Sequence, residues 1–243
     1  MIVERSLDSW DHFKKEVITD QFADGMFLRG RFLFRGQGDA EWRLMSSFDR
    51  WYNGAPDAKM ATANNLLDYF MAECEQHELP NNFLNDRNSW LGLAQHHGLP
   101  TRLLDWSESP YVAAMFAFAG HIRSRVEGSK MVAVCVIDTQ SHIWSGDYGC
   151  EIITVPSYGN VRIANQYGKF SYLKSPVSSI EQYVEQFGSA DETCVIRKYL
   201  IPASETKKAI GDLDAMGLNY SRIYPGLSGN AMAAEVRVGL VQV

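Results

Sequence analysis

Residues 94–110 read AQHHGLPTRLLDWSESP, which places two imidazoles, an arginine, an aspartate, an indole and several hydroxyls between two apolar helical segments. Burying so many polar groups costs free energy unless they hydrogen-bond to one another or to a ligand. The pair Ser109-Pro110 predicts the start of a helix, because serine caps free backbone amides and proline presets the first helical φ. The segment therefore predicts a site directly followed by a buried apolar helix over 111–119.

Hydrophobic periodicity and turn residues predict the other elements of the chain. We expect helices at residues 8–19, 61–77, 90–97 and 205–216, with Ser204 capping the last one and Gly217 ending it. We expect strands at residues 27–35, 131–137, 150–155, 194–201 and, at the C-terminus, 236–243. These elements show no regular βαβ rhythm, which favours an α+β fold. No linker-like segment interrupts residues 1–243, so we expect a single domain.

Composition limits the classes of function. The 243 residues carry a net charge of −6, which argues against a protein that coats nucleic acid or membrane non-specifically. The first residues lack a basic start followed by an apolar run, and no stretch approaches the ~20 apolar residues of a membrane span. The four cysteines form no CxxC pair and no Cys/His cluster. We therefore expect a cytoplasmic protein with no membrane contact and no metal.

The segment Phe34-Arg35-Gly36-Gln37-Gly38 is the first candidate for chemistry. An arginine at the end of a strand offers a planar fork of donors that suits phosphate or carboxamide oxygens. We expect the adjacent glycines to let backbone come close to a bound group. The alternative is a buried ion pair between Arg35 and Asp105 or another acid. No GxGxxG or GxxxxGK[ST] motif is present, which excludes the two common glycine-rich phosphate loops.

The residues between the two helical segments each have an ordinary structural explanation. His96 and His97 are adjacent on a helix, so their side chains diverge and do not favour a metal site. A hydrogen-bonded core histidine is the alternative for His97. Arg102 and Asp105 could simply pair with each other. Trp106 could pack in the core or offer a face for stacking.

Longer blocks of residues carry a resemblance to a known family. These are Phe34-Arg35-Gly36, residues 94–107, Ala113-Ala114-Met115-Phe116-Ala117, residues 162–170 and residues 223–231. Together they resemble the FRG domain family over about residues 32–231, with the helix 8–19 and the strand 236–243 as extensions.

The order of these blocks is similar to that of the ADP-ribosyltransferase fold, which implies a split β-sheet core with flanking helices. By this resemblance, Arg35 would bind the diphosphate or ribose of NAD and Ser107 would hold the strand that bears the nicotinamide pocket. The cofactor-binding residues expected from the resemblance are Arg35, Gly36, Gln37, His96, His97, Arg102, Trp106 and Tyr167.

One position departs from the transferase pattern. The third block carries Gln166 where many transferases have a glutamate, and an amide cannot act as a general base. Three explanations are open: Gln166 only positions the ribose, the domain binds without catalysis, or another carboxylate serves. The candidates for that carboxylate are Asp105, Glu151 and Glu235. His96 or His97 could also act near neutral pH. The catalytic set expected from the resemblance is thus Arg35, Asp105, Ser107 and Gln166.

The resemblance implies a mono-ADP-ribosyltransferase that uses NAD as a substrate to modify an intracellular macromolecule, RNA, DNA or protein. It further implies a bacterial toxin or antiphage defence effector with an antitoxin protein as partner. The alternative is a non-catalytic module that binds a nucleotide or nucleic acid. Single-stranded nucleic acid could bind along basic residues around the first block: Arg29, Arg31, Arg43 and Arg50. The alternative for these arginines is an ordinary solvated surface.

Overall fold

The computed structural model describes residues 2–19, 21–77, 79, 85–125, 128–155, 168–188 and 196–242. The strands are β1 (Ile2–Ser6), β2 (Phe22–Ala23), β3 (Met26–Phe27), β4 (Phe32–Gln37), β5 (Leu103–Ser107), β6 (Met131–Asp138), β7 (Cys150–Ile153), β8 (Gly168–Leu173) and β9 (Ile196–Pro202). The helices are α1 (Trp10–Thr19), α2 (Ser47–Trp51), α3 (Lys59–Glu73), α4 (Arg87–His96), α5 (Pro110–Ser124), α6 (Ile180–Glu185), α7 (Thr206–Ala215), α8 (Tyr220–Ile223) and α9 (Leu227–Gln242).

Seven strands form the main sheet in the order β1-β9-β6-β4-β5-β8-β7. All neighbours are antiparallel except β1 and β9, which run parallel. Strand β4 pairs with β6 from Phe32 to Gln37, but β4 and β5 pair only at Phe34 and Ser107. The sheet therefore separates at its centre into two halves. The predicted mixture of helices with one sheet is confirmed.

Helix α5 is buried on nearly every side and packs against β4, as its apolar sequence predicts. The Ser109 hydroxyl accepts a hydrogen bond from the Val112 amide at 3.3 Å, which confirms the predicted cap. Close packing requires glycine on β4, because a Cβ at Gly36 would lie 1.9 Å from the Ala113 carbonyl oxygen. Gly38 is equally constrained, since a Cβ there would lie 2.6 Å from the His121 nitrogen. These glycines admit a helix; the expectation that they admit a ligand is wrong for Gly38.

The predicted C-terminal strand 236–243 is wrong, because residues Leu227–Gln242 form helix α9. Val236 is buried in the main core, and Met232 and Leu240, four residues to either side, pack against the same core. A four-residue spacing is the helical period, and a short apolar run does not by itself distinguish helix from strand. The alternation of Val236, Val238 and Leu240 is therefore incidental, and Val238 lies exposed.

Other boundaries differ from those predicted. The expected strand 27–35 is divided into β3 and β4 by a turn in which Gly30 has a φ of +74°. Ser204 does not cap α7; it lies within a 3-10 turn, Ala203–Glu205, and Glu205 precedes the helix without a side-chain cap. Gly217 does end that helix, with a φ of +81°.

Candidate active site

A cleft of about 240 Å³ opens where β4 and β5 part. Its walls come from both halves of the sheet, from α5 and from the turn after α8: Phe34, Arg35, Gly36, Asp105, Trp106, Ser107, Ala113, Phe116 and Tyr224. The first and second predicted blocks therefore meet in space. They do so because Phe34 and Ser107 are the single registered pair that joins the two halves of the sheet.

Arg35 spans the gap between the two strands. Its Nη1 donates a hydrogen bond of 2.7 Å to the Asp105 carbonyl oxygen and lies 3.8 Å from Asp105 Oδ2. Its Nε is buried and has no hydrogen-bond partner among the described residues. Desolvation lowers the pKa of Arg35, Arg50 lowers it further, and Asp105 opposes both. The predicted partner, Asp105, is the observed one, but the pair is not buried as predicted, because the Asp105 side chain is 53% exposed.

Asp105 is the acid of the cleft. Its side chain is 53% exposed, and Oδ1 accepts a hydrogen bond of 2.9 Å from Gln95 Nε2. The Thr101 hydroxyl donates to Gln95 Oε1, and that hydroxyl oxygen accepts from the Leu103 amide at 3.3 Å. This chain of donors fixes the Gln95 amide with its nitrogen toward Asp105, because the hydroxyl proton is already committed. Asp105 is thus an oriented, solvent-accessible carboxylate.

Ser107 has a supporting place in the cleft. The residue is 4% exposed, and its hydroxyl accepts a hydrogen bond of 3.0 Å from the Ser109 amide. It therefore fixes the turn that leads from β5 into α5. The expectation that Ser107 holds the strand of a nicotinamide pocket stays a prediction.

Trp106 does not offer a stacking face, contrary to the expectation from the resemblance. The residue is 2% exposed, packs among core residues such as Leu33, and donates from Nε1 to Ser171 Oγ at 2.9 Å. Strand alternation turns the indole into the core, since its neighbour Asp105 faces the opposite way. The core alternative for Trp106 is the correct one.

Arg102 does not line the cleft. It is 1% exposed and forms an ion pair of 3.1 Å with the buried Asp49 carboxylate. It further donates to the carbonyl oxygens of Ser175 and Val177, each at 2.7 Å. Arg102 thus joins α2 to the loop after β8. Both the expected cofactor contact and the pairing with Asp105 are wrong.

Three more predicted residues lie away from the walls of the cleft. His96 and His97 are exposed at the end of α4, so the core alternative for His97 is wrong. Their rings meet edge to face at 5.0 Å between centroids. Gln37 is 6% exposed, and its Oε1 accepts a weak hydrogen bond from Cys135. The histidines are kept from the cleft by their position at the end of α4, and Gln37 is kept from it by its buried position on β4.

The three candidates for the missing carboxylate differ in whether they line the cleft. Glu151 pairs with Lys174 at 2.7 Å, and Glu235 pairs with Arg123 at 2.6 Å, and neither lines the cleft. Asp105 is the candidate that does. Gln166 and Tyr167 fall outside the described residues.

Sequence reasoning missed three residues of the site. Phe116 and Tyr224 line the cleft and meet edge to face at 5.9 Å between centroids, and Gln95 orients Asp105. Tyr224 lies in the block 223–231, so its place in that block was the available signal. Phe116 was indistinguishable from core in a helix that is apolar all round.

Other features bear on classes of ligand. Burial raises the pKa of the Cys135 and Cys150 thiols to about 12, which makes them inert core residues. Within the described ranges, no three His, Cys, Asp or Glu side chains come together as a metal site would require. None of the helices described combines the length and apolar character needed to cross a bilayer.

Comparisons with known proteins agree with the resemblance. A sequence model of the FRG domain matches residues 30–125, which include Arg35, Gln95, Asp105 and Ser107. The match ends before the blocks at 162–170 and 223–231. Searches of curated proteins and of solved structures returned no significant match.

Proposed function

We propose that this protein, whose residues 30–125 match a sequence model of the FRG domain, is a mono-ADP-ribosyltransferase that transfers ADP-ribose from NAD to a macromolecule. The observation that carries the proposal is the contact between Arg35 and Asp105 across the divided sheet. It places an anion-binding fork and an exposed carboxylate in one cleft, as NAD cleavage requires. The split sheet supports an ADP-ribosyltransferase-like core.

Arg35 would bind the NAD diphosphate. The Arg35 guanidinium lines the cleft and suits anionic oxygens, because charge-assisted hydrogen bonds of this kind are strong. The Phe116 and Tyr224 rings form an apolar wall that suits the nicotinamide ring in place of the buried Trp106.

Asp105 would act on the ribose. When the bond between ribose C1′ and the nicotinamide nitrogen breaks, the electron pair leaves with nicotinamide and positive charge develops on the sugar. A carboxylate beside that carbon stabilises the cation-like transition state. The acceptor then forms the new bond to C1′ and releases its proton to a base or to water. Gln95 keeps Asp105 available for this work.

The rival candidate is a module that binds a nucleotide without turnover. Gln166 in the third block favours it, because that position lacks the carboxylate that transferases commonly use. The toxin or defence role, and an antitoxin partner, stay predictions from the family resemblance.

The experiment that separates these functions is incubation of the purified chain with NAD and mixed RNA, DNA and protein acceptors. The proposal predicts release of nicotinamide and a mass increase of one ADP-ribose on one acceptor class, both abolished in Asp105→Asn. NAD binding without nicotinamide release would favour the binding module.

A further inference from the structure

A second cavity lies beside the cleft and has a different character. It measures about 510 Å³, within the usual range for small-molecule sites. The turn from β5 to α5 is a shared wall, because Ser107 lines the cleft while Glu108 and Ser109 line the second cavity. A ligand in the second cavity would therefore lie next to one in the cleft.

The walls of this cavity are flat and apolar. Phe22 and Phe27 face each other on the β2–β3 hairpin at 5.6 Å between centroids, and each is about half exposed. Pro110 and Tyr111, in the first turn of α5, also line the cavity. Exposed aromatic rings around a groove suit a planar ring that stacks on them, because the apolar faces of that ring are buried and its polar edge stays free to form hydrogen bonds.

Glu108 places a hydrogen-bond acceptor in the wall of the cavity. Its side chain is 21% exposed, and its contact with Lys169 Nζ, at 3.9 Å, is longer than a hydrogen bond. An ionised carboxylate only accepts hydrogen bonds, so it calls for a ligand with N–H groups at its edge. A purely aliphatic side chain would remove water from Glu108 and return no hydrogen bond. The cavity therefore favours a heteroaromatic ring over an aliphatic anchor from a protein.

Arg29 adds the complementary charge. It lines the cavity from an exposed position. Its guanidinium suits a phosphate attached to the same ring system. An aromatic slot, an acceptor at one edge and a cation at the rim together match one nucleotide.

We propose that this second cavity binds an amine-bearing nucleobase, adenine, guanine or cytosine, with the amine toward Glu108 and the phosphate toward Arg29. The inference deepens the proposed function and rests on it only for the source of the base. That source is either the adenine of NAD itself or a base of a nucleic-acid acceptor.

The test is calorimetric titration of the full chain with adenosine 5′-monophosphate and, separately, purine riboside 5′-monophosphate, which has the same ring without the amine and no other N–H at its edge. We expect the adenine nucleotide to bind more tightly and Phe22→Ala/Phe27→Ala to weaken its binding about tenfold. Glu108→Gln should reduce the preference for adenine over unsubstituted purine. Met26→Ala is the matched control, because Met26 is an exposed apolar residue of the same hairpin that does not line the cavity.

The source of the base follows from two further titrations. If NAD supplies it, the double variant weakens binding of NAD but not of nicotinamide mononucleotide. If an acceptor supplies it, NAD binding is unchanged and single-stranded oligoadenylate binds more weakly. Equal binding of the two monophosphates, no change in the double variant, or no nucleotide binding at all would overturn the inference. A chain that releases no nicotinamide, yet binds adenosine 5′-monophosphate as described, refutes only the proposed function.

Discussion

The amide nitrogen of Gln95 donates a 2.9 Å hydrogen bond to the carboxylate of Asp105. Gln95 lies on α4 and Asp105 on β5, so this bond links the helix to the cleft. Because the Thr101 hydroxyl occupies the other end of the amide, the orientation of Gln95 is fixed. Gln95 is therefore a positioning residue in the proposed reaction. Within the AQHHGLPTRLLDW segment it is Gln95, and not the two histidines, that contacts the carboxylate of the cleft.

Replacing Gln95 should affect turnover more than substrate binding. A hydrogen bond to a charged group contributes about 1.5–3 kcal/mol, so Gln95→Leu should lower kcat about tenfold or more. KM should change little, because Arg35 retains its own contacts. His97→Ala, an exposed neighbour on the same segment, is the control. Steady-state nicotinamide release measures both constants, and an effect confined to KM would refute the positioning role.

The buried pair of Arg102 and Asp49 should dominate the stability of its region. Asp49→Ala would leave Arg102 and Lys59 buried without their shared carboxylate, at a cost of about 3–5 kcal/mol. The exposed pair of Asp68 and Arg87 provides the control, since Asp68→Ala should cost under about 1 kcal/mol. Urea denaturation measures both free energies of unfolding. Equal losses in the two variants would contradict this account.

Two glycine-to-alanine substitutions should change the stability of the protein in opposite directions. Gly36→Ala places a methyl group 1.9 Å from a backbone oxygen, so α5 must move away from β4, and we expect a loss of about 3 kcal/mol or an unfolded chain. Gly211→Ala, in open space on α7, should stabilise the protein by roughly 0.5–1 kcal/mol. Thermal unfolding followed by circular dichroism reports both. A stable Gly36→Ala variant would show that this close helix contact is dispensable.

Acid should weaken the ion pair between Asp11 on α1 and Lys208 on α7. Hydrogen bonds from Lys208 and Lys14 hold the pKa of the Asp11 carboxyl at about 2. This pKa lies below the unfolded value of about 3.9, so the stabilisation is present above that pH and is lost as pH falls toward about 2. Asp11→Asn should therefore lower Tm more at pH 7 than near pH 2, where about half of the Asp11 carboxyls are protonated in the folded state. An equal Tm difference at the two pH values would contradict this assignment.

Local signals predicted much of the fold. The Ser109-Pro110 cap and the fully apolar helix after it were readable because both depend on neighbouring residues alone. The C-terminal helix was not, because the valines of α9 have low helix propensity and their packing against the main core decides the conformation. Tertiary context also decided the two glycines, whose partner lies about 80 residues away in α5.

The candidate site was predicted in part for a similar reason. Arg35, Asp105 and Ser107 could be named because a family resemblance marked them, and the divided sheet brings them together. The place of Trp106 is not predictable because the sequence does not show which face of β5 turns to the core. The place of Arg102 is not predictable because its partner, Asp49, lies 53 residues earlier in the chain.

Calorimetric titration with NAD of the wild type, Arg35→Ala and, as a control, Arg87→Ala tests whether the cleft binds NAD through Arg35. We expect binding by the wild type, a loss of affinity of about tenfold or more in Arg35→Ala and no change in Arg87→Ala. Wild-type affinity for NAD retained in Arg35→Ala, or no NAD binding by the wild type, would contradict this expectation.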